Sequence, residues 1–97
     1  MPTVELHPDA VLEAKAARRW YRKRSPIAAE LFAEELDAAI ATISESPNAC
    51  ASYLEGTRRY VMKRFPFIVV FHETPSTIEI IAIAHGHFVS AIAEAMA

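Results

Sequence analysis

The chain of 97 residues sets ten Lys or Arg against twelve Asp or Glu, a formal net charge of −2, which speaks against a whole-surface nucleic-acid binder. With 53% hydrophobic and 23% charged residues it reads as globular, and its length predicts one domain over residues 1–97. No apolar run approaches a bilayer span, no basic-then-apolar start marks a secretory leader, and the single Cys50 excludes an internal disulfide, so a cytoplasmic location without membrane contact is expected.

Thr3-Val4-Glu5-Leu6-His7 alternates weakly and stops at Pro8, which predicts a short N-terminal strand that joins a sheet. Asp9 is a candidate cap for a helix starting near Ala10. On that helix Val11, Ala14, Ala17 and Tyr21 share an apolar side with Trp20 beside them, while Leu12, Lys15, Arg19 and Arg22 share another. Ser25-Pro26 closes it and opens a second helix, because Ser caps and Pro suits the first helical position. The second helix is expected to reach about Ser44, with Phe32, Leu36, Ile40 and Ile43 as its core stripe. So short a connection predicts an antiparallel helical hairpin laid on a sheet, with Glu30, Glu34 and Asp37 beside the basic first helix.

Residues 48–56 read as a loop. Beyond it lie β-branched and aromatic runs that predict three antiparallel strands, roughly 57–63, 66–72 and 77–85. Glu73-Thr74-Pro75-Ser76 supplies the turn between the last two, and Pro66 must mark a strand start, an edge or a bulge. The Ala-rich segment from Phe88 to Met96 predicts a short C-terminal helix. The expected fold class is therefore α+β: an N-terminal strand, a two-helix hairpin packed on an antiparallel sheet in the order β-α-α-β-β-β, and a short C-terminal helix.

Charge is segregated along this frame. Lys15, Arg18, Arg19, Arg22, Lys23 and Arg24 form one basic cluster; Arg58, Arg59, Lys63 and Arg64 form the other. The first reads as a solvated face partly paired with acids of the second helix, with direct binding of free nucleic acid the lesser reading. The second reads either as protection of a sheet edge or as an anion-binding strip for phosphate or acidic side chains. His85-Gly86-His87 ends the last strand and places two imidazoles on one side. Two exposed loop histidines, an acid–base role and a metal site are the readings of that pair. No carboxylate or thiol is obviously placed as a third ligand, so neither metal nor cofactor is expected. Cys50 reads as an ordinary loop residue, and the sequence carries no P-loop, dinucleotide fingerprint or HExxH motif.

The ordered set Ala17-Arg18-Arg19-Trp20-Tyr21, Ser25-Pro26, Phe32, Leu36, Pro47, Arg58-Arg59, Arg64-Phe65-Pro66-Phe67-Ile68-Val69-Val70-Phe71 and a last strand ending in Ala84-His85 resembles the RelE/ParE superfamily, the toxins of type II toxin–antitoxin operons. The likeness is to the ParE, or plasmid-stabilisation, branch more than to RelE. It implies a compact α+β toxin and a cognate antitoxin encoded beside it. For a ParE-like toxin it implies that the protein binds and poisons DNA gyrase without established catalytic residues. For a RelE-like toxin it implies cutting of mRNA on the ribosome, with His85, His87 and Arg64 as catalytic candidates here. The Tyr-Arg pair usual on the middle strand of RelE-like nucleases is replaced by Phe67-Ile68, and the basic residue usual after the last strand by His85-Gly86-His87. Arg58, Arg59, Lys63 and Arg64 are the candidate residues for holding target or antitoxin. An inactive member of the fold, kept as a binding module, is the third reading.

Overall fold

The computed structural model describes residues 3–85. Strand β1 (Thr3–Leu6) leads into helix α1 (Pro8–Arg24), which is followed at once by helix α2 (Pro26–Glu45). After a single 3-10 turn at Pro47–Ala49 come β2 (Ala51–Ser52), β3 (Arg58–Val61), β4 (Phe67–Glu73) and β5 (Thr77–His85). The expected C-terminal helix from Phe88 lies outside the described residues.

The helix ends follow from local chemistry. Pro8 occupies the first turn of α1, where its missing N–H leaves no partner wanting. The cap is His7, whose Nδ1 accepts the Asp9 N–H at 3.1 Å. The helix therefore starts at Pro8 rather than near Ala10, and Asp9 sits inside its first turn as an acid facing the helix dipole. Ser25 works in both directions, as its sequence position predicts. Its N–H donates to the Tyr21 carbonyl at 2.7 Å, closing α1, and its Oγ accepts the Ala28 N–H at 3.2 Å, opening α2. On α2 the residues Ala29, Phe32, Leu36, Ala39 and Ile43 are buried, a stripe at helical spacing; Ile40 is only half-buried.

The five strands run in the order β1-β5-β4-β3-β2. Neighbours among β2, β3, β4 and β5 are antiparallel, but β1 pairs with β5 in parallel, Thr3 opposite Thr77 through Leu6 opposite Ile80. The sheet is thus mixed, where an antiparallel one was expected. The strands after α2 are joined by short turns and must alternate in direction. β1 returns through the whole helical hairpin, and so long a crossover leaves it free to run parallel. Within the expected 48–56 loop, Ala51 and Ser52 pair with Arg59 and Arg58 and make an edge strand. Pro66 stands immediately before β4, at a strand start.

The sheet's irregularity lies in β5. Val70 faces Ala82 while the next residue, Phe71, faces Ile80, which leaves Ile81 as the extra residue of a bulge. The bulge reverses the alternation along β5. Ile78 and Ile80 before it, and Ile83 after it, all reach the helix-side core with Val69 and Phe71. Ala84 falls instead on the opposite face, with Ile68 and Val70. The sheet is consequently apolar on both faces at its centre.

Candidate functional site

The second basic cluster divides into separate settings. Strand β3 ends at Val61, so Lys63 and Arg64 lie in the β3–β4 turn and not on the strand. The Met62 N–H donates to the Phe67 carbonyl at 3.0 Å and closes the hairpin. Glu35 of α2 then holds the turn: its Oε1 accepts the Lys63 N–H at 2.7 Å and the Arg64 N–H at 2.9 Å. Phe65 tucks beneath, with its ring 4.9 Å from Tyr21 and 5.4 Å from Phe32. With the backbone fixed in this way, the Lys63 and Arg64 side chains are presented at the surface over a small depression shared with Leu31 and Glu34.

At the other end of the hairpin, Arg58 is part of the framework. Its Nη1 donates to the Cys50 carbonyl at 2.8 Å and its Nε lies 3.5 Å from a Glu73 carboxylate oxygen, both side chains being about two-thirds covered. Its neighbour Arg59 is exposed, with its guanidinium 5.3 Å from the centre of the Tyr53 ring. Of the four cations, Arg59, Lys63 and Arg64 are thus offered to solvent, while Arg58 ties the 50–52 segment to β4. Burial pushes the Cys50 thiol above its ordinary pKa, with Arg58 lowering it and Glu73 raising it. That setting disfavours the thiolate needed for nucleophilic chemistry.

On the first basic cluster, Arg18 meets Glu30 at 2.9 Å, the pairing between helices that the sequence suggests. Arg24 folds back on its own helix, its guanidinium 3.5 Å from the Trp20 ring centre and its Nη1 donating to the Trp20 carbonyl at 3.0 Å.

His85, at the end of β5, is exposed and edge-on to Phe67, ring centres 5.3 Å apart. It stands at the mouth of an apolar groove of about 380 Å³ between α1 and the end of β5, walled by Trp20, Tyr21 and Phe67 and floored by Ala16 and Ala17. Arg64 lines a different depression. His87 lies outside the described residues. A phosphate-cleaving site requires a base and cations converging on one place, and the described residues do not bring His85 and Arg64 to a common cavity.

Two features are absent from the sequence reading. One is this groove. Its signal is the small Ala16-Ala17 pair set between Glu13 and Trp20-Tyr21, but only the packing of α1 on β5 turns that spacing into a cleft. The other is the cross-strand pair His72–Glu79, 3.1 Å apart, on facing residues of β4 and β5. Among the described residues no group of three His, Cys, Asp or Glu side chains is placed to hold a metal ion, and no helix is long and apolar enough to cross a membrane.

The profile of one protein family, described as ParE toxin of type II toxin-antitoxin system, parDE, matches residues 4–89. A solved structure of a chromosomal ParDE toxin–antitoxin system from P. aeruginosa superposes with a TM-score of 0.78 at 20% identity, covering 88% of this chain and 96% of that one. No curated protein sequence matches the chain.

Proposed function

The chain belongs to the ParE toxin family of type II toxin–antitoxin systems, and from that premise we propose that it poisons a protein target, DNA gyrase, and is silenced by a cognate antitoxin. In this reading residues 1–97 form a single cytoplasmic toxin domain that serves plasmid or replicon stabilisation and needs no cofactor. The observation that carries the choice of a binding toxin over a nuclease is the dispersal of the candidate catalytic groups. Arg64 is held in the β3–β4 turn by Glu35, His85 stands at the α1–β5 groove, and Arg58 is engaged by Cys50 and Glu73. Such a spread suits recognition of an acidic surface better than it suits acid–base chemistry on one phosphate.

Arg59, Lys63 and Arg64 are the proposed target or antitoxin contacts, with Arg58 acting through the framework it holds. The test is a supercoiling assay with purified protein and gyrase, run beside primer extension on translated mRNA. Inhibited supercoiling or trapped cleaved DNA is the expected result. Untouched gyrase together with new cuts in ribosome-bound mRNA would replace this reading with the RelE-like one. Harmless induction without the antitoxin would make the protein an inactive binding module. Charge reversal at Arg59 and Arg64 together is expected to weaken antitoxin binding more than tenfold, about 1.4 kcal/mol or more.

A further inference from the structure

Helix α2 shows the solvent two large apolar side chains near its start. Ile27 is 73% exposed and Leu31 38%. They are four residues apart, so they lie on one side of the helix, about 6 Å along it from each other. That side is not the one that packs, because the buried stripe runs through Ala29, Phe32, Leu36, Ala39 and Ile43. Leu31 also lines the depression of about 260 Å³ that it shares with Lys63 and Arg64. The two apolar residues of α2 and the two cations of the β3–β4 turn therefore form one strip.

The charged half of the strip is fixed in place. Glu35 Oε1 accepts both turn N–H groups, of Lys63 at 2.7 Å and of Arg64 at 2.9 Å. The other oxygen of that carboxylate, Oε2, is buried without a hydrogen-bond partner. A buried acceptor left unpaired costs stability and calls for a reason. Holding two cations beside Leu31 supplies one, since a surface ordered in advance loses less entropy on binding.

Charge around the strip is lopsided. Helix α1 ends with Arg22, Lys23 and Arg24 in its last turn, and α2 begins at once with no acid in its first turn. The positive end of the α2 dipole is thus left without a compensating carboxylate. Nearby, Glu30 is taken by Arg18 and Glu35 by the turn, while Glu34 stands at the rim. An occupant that fits brings apolar side chains to Ile27 and Leu31, and carboxylates to Lys63, Arg64 and the start of α2. Arg59 lines a separate depression with Thr42 and Val61 and is not part of this surface.

We propose that the strip formed by Ile27, Leu31, Lys63 and Arg64 is where the toxin grips its target, and that it takes an acidic segment of that protein with one apolar face. The proposal rests on the reading of the chain as a toxin that poisons gyrase. The apolar pair contributes affinity by leaving water, and the cations set the register and speed the encounter.

The experiment uses the full chain and purified gyrase, with the concentration for half-inhibition of supercoiling as its readout. In Ile27→Glu an acid enters the first turn of α2, where the helix dipole favours it, so the melting temperature is expected to stay or rise. The strip meanwhile acquires the wrong charge, and half-inhibition is expected to need more than about tenfold more protein. Leu12→Glu makes the same change at an apolar residue of α1 that is 64% exposed, and is expected to leave inhibition unchanged. Hydroxyl-radical oxidation of Ile27 and Leu31 is expected to fall when gyrase is bound. Inhibition by Ile27→Glu at the wild-type concentration, or an equal loss in both variants, overturns the strip as the target site while the gyrase reading stands. Lost affinity of Ile27→Glu for the product of the adjacent reading frame, with gyrase inhibition intact, assigns the strip to the antitoxin and likewise overturns the proposal. A wild-type chain that leaves gyrase untouched overturns the gyrase reading itself, and the strip as its contact surface.

Discussion

Helices α1 and α2 are of similar length, 17 and 20 residues, and rest on the same sheet, yet they do different work. Five residues of α2 are buried, among them Phe32, Leu36 and Ile43; on α1 only Ala10 and Ala17 are. α2 carries no Lys or Arg, while α1 carries six. Each helix also lends one carboxylate to backbone of the sheet region: Glu35 of α2 to the β3–β4 turn and Glu13 of α1 to Ile83 of β5. The contrast teaches where stability and recognition are separated. α2 fills the core with large side chains, whereas α1 touches the sheet through alanines, and the space they leave is a groove. A helix that packs by small residues buries less apolar area and so contributes less to stability, but it leaves room for another chain.

The sharpest way to break that comparison is to truncate one large side chain on each helix. Phe32 is 1% exposed and touches Tyr21, Phe65 and Phe67. Phe32→Ala is expected to lose about 3–5 kcal/mol, enough to unfold much of a small domain's population. Trp20 is 51% exposed, and Trp20→Ala is expected to cost under about 1 kcal/mol of stability. Urea titrations of the two variants measure the difference. Equal losses would mean that α1 is as much a core helix as α2.

A second, smaller effect concerns the carboxylate on α2. Glu35→Ala removes one oxygen that serves two N–H groups, and the charge assistance of both bonds goes with it. The turn is exposed enough for water to replace part of the loss, so about 2 kcal/mol is expected. Glu35→Gln keeps an acceptor and is expected to lose about half as much, roughly 1 kcal/mol. Hydrogen exchange at Lys63 and Arg64 should quicken in step with the loss.

The features legible in the sequence are those set by local chemistry. Ser25-Pro26 announces a helix boundary because both residues act within one turn of themselves. The α2 stripe is legible because helical periodicity repeats over five turns. The Phe67-to-Phe71 run is legible because β-branched and aromatic residues crowd there. Features set by distant partners are not. The direction of β1 depends on a crossover of two helices. The bulge at Ile81 hides in Ile80-Ile81-Ala82-Ile83, an apolar run that fits either alternation. β2 is two residues long and carries no period. The His7 cap is hidden because imidazole rarely plays that part. Among the site residues, strand alternation over 58–64 puts Arg59 with Lys63 on one face and Arg58 with Arg64 on the other unless a bulge at Pro66 re-aims Arg64, but β3 stops at Val61 and Lys63 and Arg64 fall in the turn, where that alternation no longer applies.

Ser25 tests the junction between the two helices. Its Oγ satisfies one N–H at the start of α2, and no acidic residue occupies that first turn to compensate. Ser25→Ala is expected to cost about 1 kcal/mol, and Ser25→Asp to restore most of it by accepting the same bond and adding a charge at the helix start. Thermal melts of the two variants, separated by several degrees, would show that the hairpin is held by its cap as well as by its core.

The smallest expected effect is at the pair joining the helices across their solvent side. Arg18 and Glu30 meet at 2.9 Å, but their side chains remain 40% and 68% exposed. An exposed pair is screened by water and salt and gives up side-chain freedom to hold one geometry, so its coupling is expected at about 0.2–1 kcal/mol. A double-mutant cycle of Arg18→Ala and Glu30→Ala isolates that coupling from other effects of each substitution. Arg18 complicates the singles, because its Nε is buried without a hydrogen-bond partner. Removing the guanidinium also removes that unsatisfied donor, so Arg18→Ala is expected to cost less than Glu30→Ala, which leaves the cation in place without its acid. Raising salt from low to molar concentration should shrink the coupling toward zero. A coupling that stays above 1 kcal/mol in molar salt would show instead that the cations of α1 are held by α2 as firmly as the core is, and that they are less available to a partner than their exposure suggests.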